Sequence, residues 1–456
     1  MRMPAAGINI KRSPRLNVLA RIVDSRLPGM LASLYGLRLV NYVCPLVLVP
    51  YLARVLGPQG WGVYAFAEAC GRGVQMLVEY GFQLAGVREV ALRRNDRKEL
   101  AALVSGMLGA QLAMGAAALA VLFLLTAAFG PFRQAAALLP GAFLYGLGLG
   151  LSPIWYFQGT ERLARMVTID ILSRMIGVGG VFLLVRSPGD NWKALTIQGV
   201  LACSGAVAGW GLVSMQIPLR FAKPADIWDG LHGGWTLFLS KGATLLISAL
   251  NPVLAAFSVG AREVGLFFGA DRICRAAVNS LHPMNQAFYP RLVLLVEEDH
   301  RRGARFACRA GTAMLLHNLL LSAVLYFGAG PLVKLILGAQ YMESAGILKI
   351  LAFIPLANAL NNLLGLQWML ALRMDRAYLG AVVCAGLTNL WMFPWLAARW
   401  GTQGMAWGSL SVELLLLAAI GVQLAWRRAD PFHALLGARP SQGADAEVVG
   451  HVGRGC

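Results

Sequence analysis

Six cations sit where a chain of this kind should not carry them: Arg38, Arg72, Arg174, Lys241, Arg272 and Arg275 interrupt stretches that are otherwise apolar. Three carboxylates stand four residues before an arginine, as Glu68–Arg72, Asp170–Arg174 and Asp271–Arg275, a spacing that puts both side chains on one helical face. Each such pair can neutralise itself or present itself to a ligand. Arg38, Lys241 and Arg272 have no acid at that spacing, and Glu413, alone in its own apolar run, could offset one of them from another helix. An unpaired cation in hydrocarbon costs at least about 2.5–3.5 kcal/mol, so these three call for a partner, a wet cavity or an anionic ligand. Arginine suits phosphate, because its planar fork makes two charge-assisted hydrogen bonds at once. The acids Glu68, Asp170, Asp271 and Glu413 are also candidates for a proton or sodium site, although the arginine at i+4 weighs against a proton role for the first three.

Other chemistry lacks its residues. The seven cysteines are scattered singly, with no paired spacing for a disulfide framework or a zinc site. The histidines are dispersed, and there is no Gly-x4-Gly-Lys-Ser/Thr loop. No catalytic residue, metal or cofactor is therefore expected, and the chain is read as a non-enzyme.

The elements that hold these charges are membrane spans. The 456 residues are 57% hydrophobic and 14% charged, with mean hydropathy +0.61, where a soluble domain carries about 25% charged residues. At roughly 20 apolar residues per crossing, spans fall near 30–56, 61–82, 99–128, 133–157, 164–186, 194–216, 235–259, 264–287, 310–329, 345–371, 377–398 and 402–426, twelve in all. The net charge of +18 does not point to nucleic acid. Of the basic residues, 26 lie before the first span, in every second loop or after the last span, against seven in the alternate loops. That asymmetry places both termini in the cytoplasm. The expected division is a basic arm (1–29), a first lobe of six helices (30–216), a cytoplasmic linker (217–234), a second six-helix lobe (235–426) and a tail without helical pattern (427–456).

An offset of 203 residues overlays the halves. Gly57, Gly62, Tyr64 and Ala67 fall on Gly260, Gly265, Phe267 and Ala270, while Arg38 falls on Lys241, Glu68 on Asp271 and Arg72 on Arg275. With six spans per half the repeat is parallel, related by an axis along the membrane normal, and a binding site is expected at the repeat interface. The charges then converge on a hydrated, basic central cavity that admits an anionic head such as a polyprenyl diphosphate and repels a drug-like cation.

Three stretches carry a family likeness: Pro50 to Ala67, with its Arg54-Val-Leu-Gly-Pro-Gln-Gly-Trp-Gly-Val-Tyr64 turn; Tyr80-Gly-Phe-Gln running through Arg88-Glu-Val-Ala91 to Arg97; and Pro153-Ile-Trp-Tyr-Phe-Gln-Gly-Thr-Glu-Arg162. Each also has a physical reading. The turn glycines allow two helices to approach, the segment Arg88 to Lys98 obeys the positive-inside rule, and Trp155, Tyr156 and Phe157 fit an aromatic belt with Arg162 and Arg165 snorkelling beside them. In this order, over residues 30 to 426, they resemble bacterial polysaccharide flippases of the Wzx type, in the superfamily shared with multidrug (MATE) exporters and lipid II flippases. The resemblance implies an all-α, MATE-like fold of two lobes in the bacterial inner membrane. It further implies that undecaprenyl-diphosphate-linked oligosaccharide passes between leaflets by alternating access, for O-antigen, capsule or exopolysaccharide assembly. Its partners would be that lipid-linked glycan, membrane lipid and other polysaccharide-assembly membrane proteins. Carried over, the substrate cations would be Arg38, Arg72, Arg174, Lys241, Arg272 and Arg275. The rival readings are a cation-coupled drug or metabolite exporter on the same fold, which calls for an unpaired acid in the cavity, and a membrane polymerase or glycosyltransferase, which calls for a loop domain that this chain lacks.

Overall fold

The structure, a computed structural model, describes residues 14–220, 222–228, 230–232, 235, 238 and 250–427, with side chains from residue 44 onward. Among these residues every regular element is helical. The first helix, α1 (Pro14–Glu79), has 66 residues, which at 1.5 Å rise is about three times the thickness of a bilayer core. It cannot be one span, and it breaks at Gly57 (φ 68°, ψ 173°), a conformation that a Cβ would strain. The break lies at the first predicted outer turn.

The next segment departs from expectation. Positive φ angles at Tyr80 (42°) and Gly81 (80°) start α2 (Phe82–Arg93) where the charges pointed to a loop. Its Phe82, Gly86 and Val90 recur at four-residue spacing and are buried, so charge and amphipathic burial coexist in one short helix. The third helix, α3 (Arg97–Ala128), is capped by Asp96, whose carboxylate accepts from the backbone of Lys98 at 2.8 Å and Glu99 at 3.1 Å. Those amide dipoles hold the Asp96 carboxyl below its usual range.

The single span expected over 133–157 is broken into α4 (Gly130–Gln134), α5 (Leu139–Gly150) and α6 (Ile154–Gly159); Pro140 and Pro153 stand at or beside two of the starts. Then come α7 (Leu163–Leu184) and α8 (Asn191–Ser214). The second half holds α9 (Asn251–Ala256), α10 (Ala261–Asn279), α11 (His282–Glu298), α12 (His300–Phe327), α13 (Ala329–Ile336), α14 (Ser344–Leu351) and α15 (Ile354–Asn361). A π-helical stretch, Asn362–Met369, comes next. The last helix, α16 (Asp375–Trp426), has 52 residues and breaks at Gly401 (φ 57°), so it too is long enough for two crossings.

Among the described residues, six helices are each long and apolar enough to cross a membrane: Arg97–Ala128, Leu163–Leu184, Pro188–Ser214, His300–Phe327, Ser344–Met369 and Asp375–Trp426. The protein is a multi-pass membrane protein. The expected count of twelve includes the span at 235–259, most of which lies outside the described residues, as do the start of the basic arm and the tail beyond Arg427.

Two close packings frame the site. The aromatic belt expected at Trp155, Tyr156 and Phe157 is instead core: each is 1% exposed. The reason is α2, which folds back so closely that a Cβ on Gly86 would lie 2.7 Å from the Trp155 ring, and one on Gly159 2.8 Å from the Val90 side chain. Ile217, Ile227 and Leu231 from the expected linker pack on the same cluster.

The second packing is reciprocal. A Cβ on Gly62 would meet the Ala261 carbonyl oxygen at 1.8 Å, and one on Gly265 would meet that of Pro58 at 1.7 Å. Both glycines and both carbonyls are partners at the 203-residue offset. When residue i touches j and the mate of j touches the mate of i, the contact is two-fold. The pseudo-symmetry axis of the repeat thus passes between α1 and α10 at this pair of glycines.

Candidate functional site

From that contact, α1 and α10 descend side by side and carry the charges. Glu68 lies in the middle: its Oε1 accepts from Arg72 Nη2 at 2.7 Å and Nε at 3.2 Å, and its Oε2 accepts from Arg272 Nη2 across the two halves. The Glu68 side chain is 9% exposed, against 43% for Arg72 and 29% for Arg272. The carboxylate is therefore the buried member, and the guanidinium groups reach into open space. Asp271 Oδ2 accepts from Arg275 Nε at 2.8 Å, again with the acid buried and the arginine 40% exposed.

Arg272 has no acid four residues away, as the sequence indicates, but it is not unpartnered: Glu68 of the other half holds it. Glu413, the acid expected to offset such a cation, does something else. It accepts from Asn361 Nδ2 at 2.8 Å and Asn358 Nδ2 at 3.5 Å. Asn358 also begins a chain of amides running through Asn362 and Asn285 to Gln367, at the π-helical stretch. Arg174 Nε donates to Asp170 Oδ2 at 2.9 Å, so the third i,i+4 pair is also formed. Arg38 lies in α1 and Lys241 in the span expected over 235–259, and both fall outside the residues whose side chains are described.

These groups border two spaces. One is a cleft between the halves with about 1480 Å³ of empty volume, lined among others by Glu68, Arg72, Asp271, Arg272 and Arg275, three guanidinium groups against two carboxylates. The other is a chamber inside the first half, with about 990 Å³ of empty volume, lined among others by Trp61, Tyr64, Asp170, Arg174 and Gln198. Glu68, Arg72 and Arg272 border both spaces, so the two meet at this cross-half ion pair. Of the six sequence-selected cations, the structure gathers Arg72, Arg272 and Arg275 around the cleft, and Arg174 lines the chamber together with Arg72 and Arg272.

At the end carrying the Gly57 turn, the halves are tied together. Gln340 Nε2 donates to the Arg54 carbonyl at 2.9 Å, Tyr341 Oη donates to that of Ala53 at 3.1 Å, and the Arg54 guanidinium donates to the Leu335 carbonyl. The carbonyls of Ala53 and Arg54 are among those that a helix end leaves open. With the glycine contact, these bonds close the cleft at that end.

The chain resembles known proteins along nearly its whole length. A protein of Escherichia coli (strain K12) named for O-antigen transport is 26% identical over 383 residues, covering 82% of this chain and 91% of that protein. One of Shigella dysenteriae with the same name is 28% identical over 391 residues, covering 83% and 94%. Among solved structures, the lipid II flippase MurJ in an inward closed conformation superposes with a TM-score of 0.67 at 10% identity, over 89% of each chain. An inward-facing multidrug resistance MATE family transporter of the MOP superfamily gives 0.60 at 16% identity, over 88% of this chain and 96% of that one. The fold is thus the MATE-like one. The model of the polysaccharide biosynthesis protein family matches residues 31–296, more than half of the sequence, and the chain belongs to that family.

Proposed function

We propose that this protein is a flippase which moves polyprenyl-diphosphate-linked oligosaccharide across the bacterial inner membrane for surface polysaccharide assembly. The observation that carries the reading is the cleft: three guanidinium groups converge there on two carboxylates, and the acids are buried while the arginines reach out. An anionic head entering the cleft meets forked donors already placed for bidentate contact. The names of the Escherichia coli and Shigella dysenteriae relatives and of the MurJ neighbour support the same assignment.

In this reading residues 30–216 and 235–426 are the two lobes, 217–234 joins them, and both termini face the cytoplasm. The closed end with Gly57 is then periplasmic and the cleft faces inward. Alternating access breaks the Gln340, Tyr341 and glycine contacts and reforms contacts at the opposite end. Glu68, Asp170 and Asp271 are charge-pairing residues. Glu413, which is held by amides and has no cation in ion-pair range among the described residues, is the coupling acid. Arg38 and Lys241 complete the basic lining from the first and seventh spans. Other polysaccharide-assembly membrane proteins take the product on the far side.

The test is deletion, followed by recovery of lipid-linked glycan from spheroplasts with and without a permeant glycosidase. A flippase mutant accumulates the glycan on the cytoplasmic leaflet. Arg272→Ala and Arg275→Ala, at normal protein level, should each lower surface polysaccharide at least tenfold. No accumulation, together with full polysaccharide in both variants, overturns the reading.

A further inference from the structure

At the end of the span Ser344–Met369, eight residues leave the α-helical form: Asn362–Met369 is π-helical. Such turns are rare, usually single, and gather at functional sites. A π-helix bonds residue i to i+5, so residues five apart stand above one another, whereas in an α-helix they point about 140° apart. Asn362 and Gln367 are five apart, and Asn285 of α11 bridges them. Its Nδ2 donates to Asn362 Oδ1 at 2.9 Å, and its Oδ1 accepts from Gln367 Nε2 at 2.8 Å. That bridge closes only while the stretch is π-helical. The network is also incomplete. The buried Gln367 Oε1 and Asn361 Oδ1 accept from no donor among the described residues, and a buried polar network left partly satisfied is costly.

The same place in the first half is built otherwise. At the 203-residue offset Asn285 falls on Phe82, Asn358 on Trp155 and Asn362 on Gly159. Phe82 and Trp155 are buried in one apolar cluster, and Gly86 and Gly159 admit Trp155 and Val90 with no room for a Cβ. Side chains interlocked in that way hold one arrangement, because a shift opens a void. Amides carry donor and acceptor together and can exchange partners instead. Burial follows the same division: α11 buries Asn285 and Leu292 along 17 residues, while α2 buries Phe82, Gly86 and Val90 along 12. Packing fixes α2 to its half, and amides join α11 to its own.

The position of α11 gives this difference a consequence. Helix α10 starts at the end carrying the Gly57 turn and brings Arg272 and Arg275 to the cleft, and α11 follows its other end after a turn at Ser280 and Leu281. The C-terminal end of α11 is locked, since a Cβ on Gly303 of α12 would meet the Val296 side chain at 2.4 Å. Released at Asn285 and held at Val296, α11 swings about that locked end. Directly behind the π-helical stretch comes a turn with Arg373 at φ 57°, which can take up the residue that a return to α-helix displaces.

We propose that Asn362–Met369 is a π-to-α joint present in the second half alone. While the stretch is π-helical, Asn285 holds α11 back; once it is α-helical, α11 swings in and closes the end of the cleft opposite Gly57. The inference rests on the alternating-access reading. Spin labels on purified full-length protein in nanodiscs, in a cysteine-free background, test it with one pair in each half: positions 294 and 376, and positions 91 and 164, all exposed. Asn285→Leu removes both bridging bonds. Deletion of Leu366 takes one residue out of the π turn and leaves Asn285 in place. Each should raise the population at a second 294–376 distance at least about fivefold over wild type, and leave the 91–164 distance single. Because both release the same bridge, the two together should add less than about twofold to either. A 294–376 distribution that Asn285→Leu leaves unchanged overturns the joint, whether or not the deletion variant folds. A 91–164 distance that shifts alongside overturns its restriction to one half. These distances need no substrate, so they can refute the joint with the flippase reading intact, whereas a deletion strain that accumulates no glycan refutes the flippase reading with the distances standing.

Discussion

The glycine pair on the pseudo-symmetry axis offers a quantitative test of how the halves are held. In Gly62→Ala the new Cβ would start 1.8 Å from the Ala261 oxygen, and contacts under 3.0 Å essentially never occur, so α1 and α10 must part by at least about 1.2 Å. Gly265→Ala imposes the same displacement from the other side. Overpacking of this kind costs about 1–3 kcal/mol. The cost falls only on the conformation in which this end is closed. At about 2 kcal/mol, each variant shifts the closed-to-open ratio roughly 30-fold toward opening. Labels at positions 59 and 262, which are mates across the axis, report the separation by pulsed electron–electron spectroscopy in a cysteine-free background. The wild type should give one short distance and each variant a second, longer population. Once the helices have parted for one methyl group, the second costs little, so the double variant should fall well short of the sum. A single short distance in both variants, with normal folding, would refute the contact. A strictly additive double variant would refute its being one contact.

Three further outcomes rest on named contacts. Glu68→Gln and Arg272→Gln each remove the cross-half ion pair; because Arg72 and Arg272 are 43% and 29% exposed and can hydrate, each should lower thermal stability by only about 1–2 kcal/mol. The double variant should recover part of one loss, and additivity in the cycle would contradict the pairing. Gly86→Val drives a branched side chain into Trp155, so the monodisperse peak in detergent should fall sharply, whereas Gly73→Ala, whose Cβ would meet nothing within 4 Å, should leave it unchanged. Desolvation lowers the pKa of His300, at the start of α12 outside the expected span, and Asp299 only partly opposes the shift. The folded state thus prefers the neutral ring, and stability falls as pH drops below about 6.5 toward the folded-state value; His300→Gln should flatten the melting temperature over that window, and an unchanged slope would count against the assignment.

The sequence exposes what depends on local spacing and conceals what depends on packing partners. Gly57, Gly62 and their mates are legible because a close helix crossing needs small residues at fixed intervals, and the i,i+4 pairs because helical geometry brings them together unaided. The Glu68–Arg272 tie is not legible, since nothing in either segment says which two helices cross. The aromatic trio misleads for the same reason: Trp155, Tyr156 and Phe157 next to Arg162 suit a lipid interface until α2 is known to fold back over them. The signal for α2 is present in Phe82, Gly86 and Val90, masked by the charges between them. The amides Asn358, Asn361 and Asn362 stand visibly inside an apolar run, and only the meeting of α15 with α16 gives the first two Glu413 to hold. The chamber leaves no trace at all, because a cavity is made by what neighbouring side chains fail to fill.

The repeat supplies two equivalent frames, and the chemistry lies where they differ. Arg272 has Ala69 as its mate, so the grip on Glu68 runs in one direction across the axis and has no counterpart at Asp271. Tyr64 has Phe267, so a hydroxyl on one side is matched by a bare ring on the other. A site obeying the two-fold would offer the same surroundings on both sides of a ligand, which suits a symmetric molecule. A lipid-linked glycan is asymmetric from end to end, with tail, two phosphates and sugars in fixed order. The departures from symmetry give the cleft a polarity, because the Arg272 grip on Glu68 comes from one half only. Introducing Ala69→Arg would restore the symmetry of charge and place a second grip on Asp271. If polarity is what orients the substrate, that variant should bind the lipid yet translocate it more slowly.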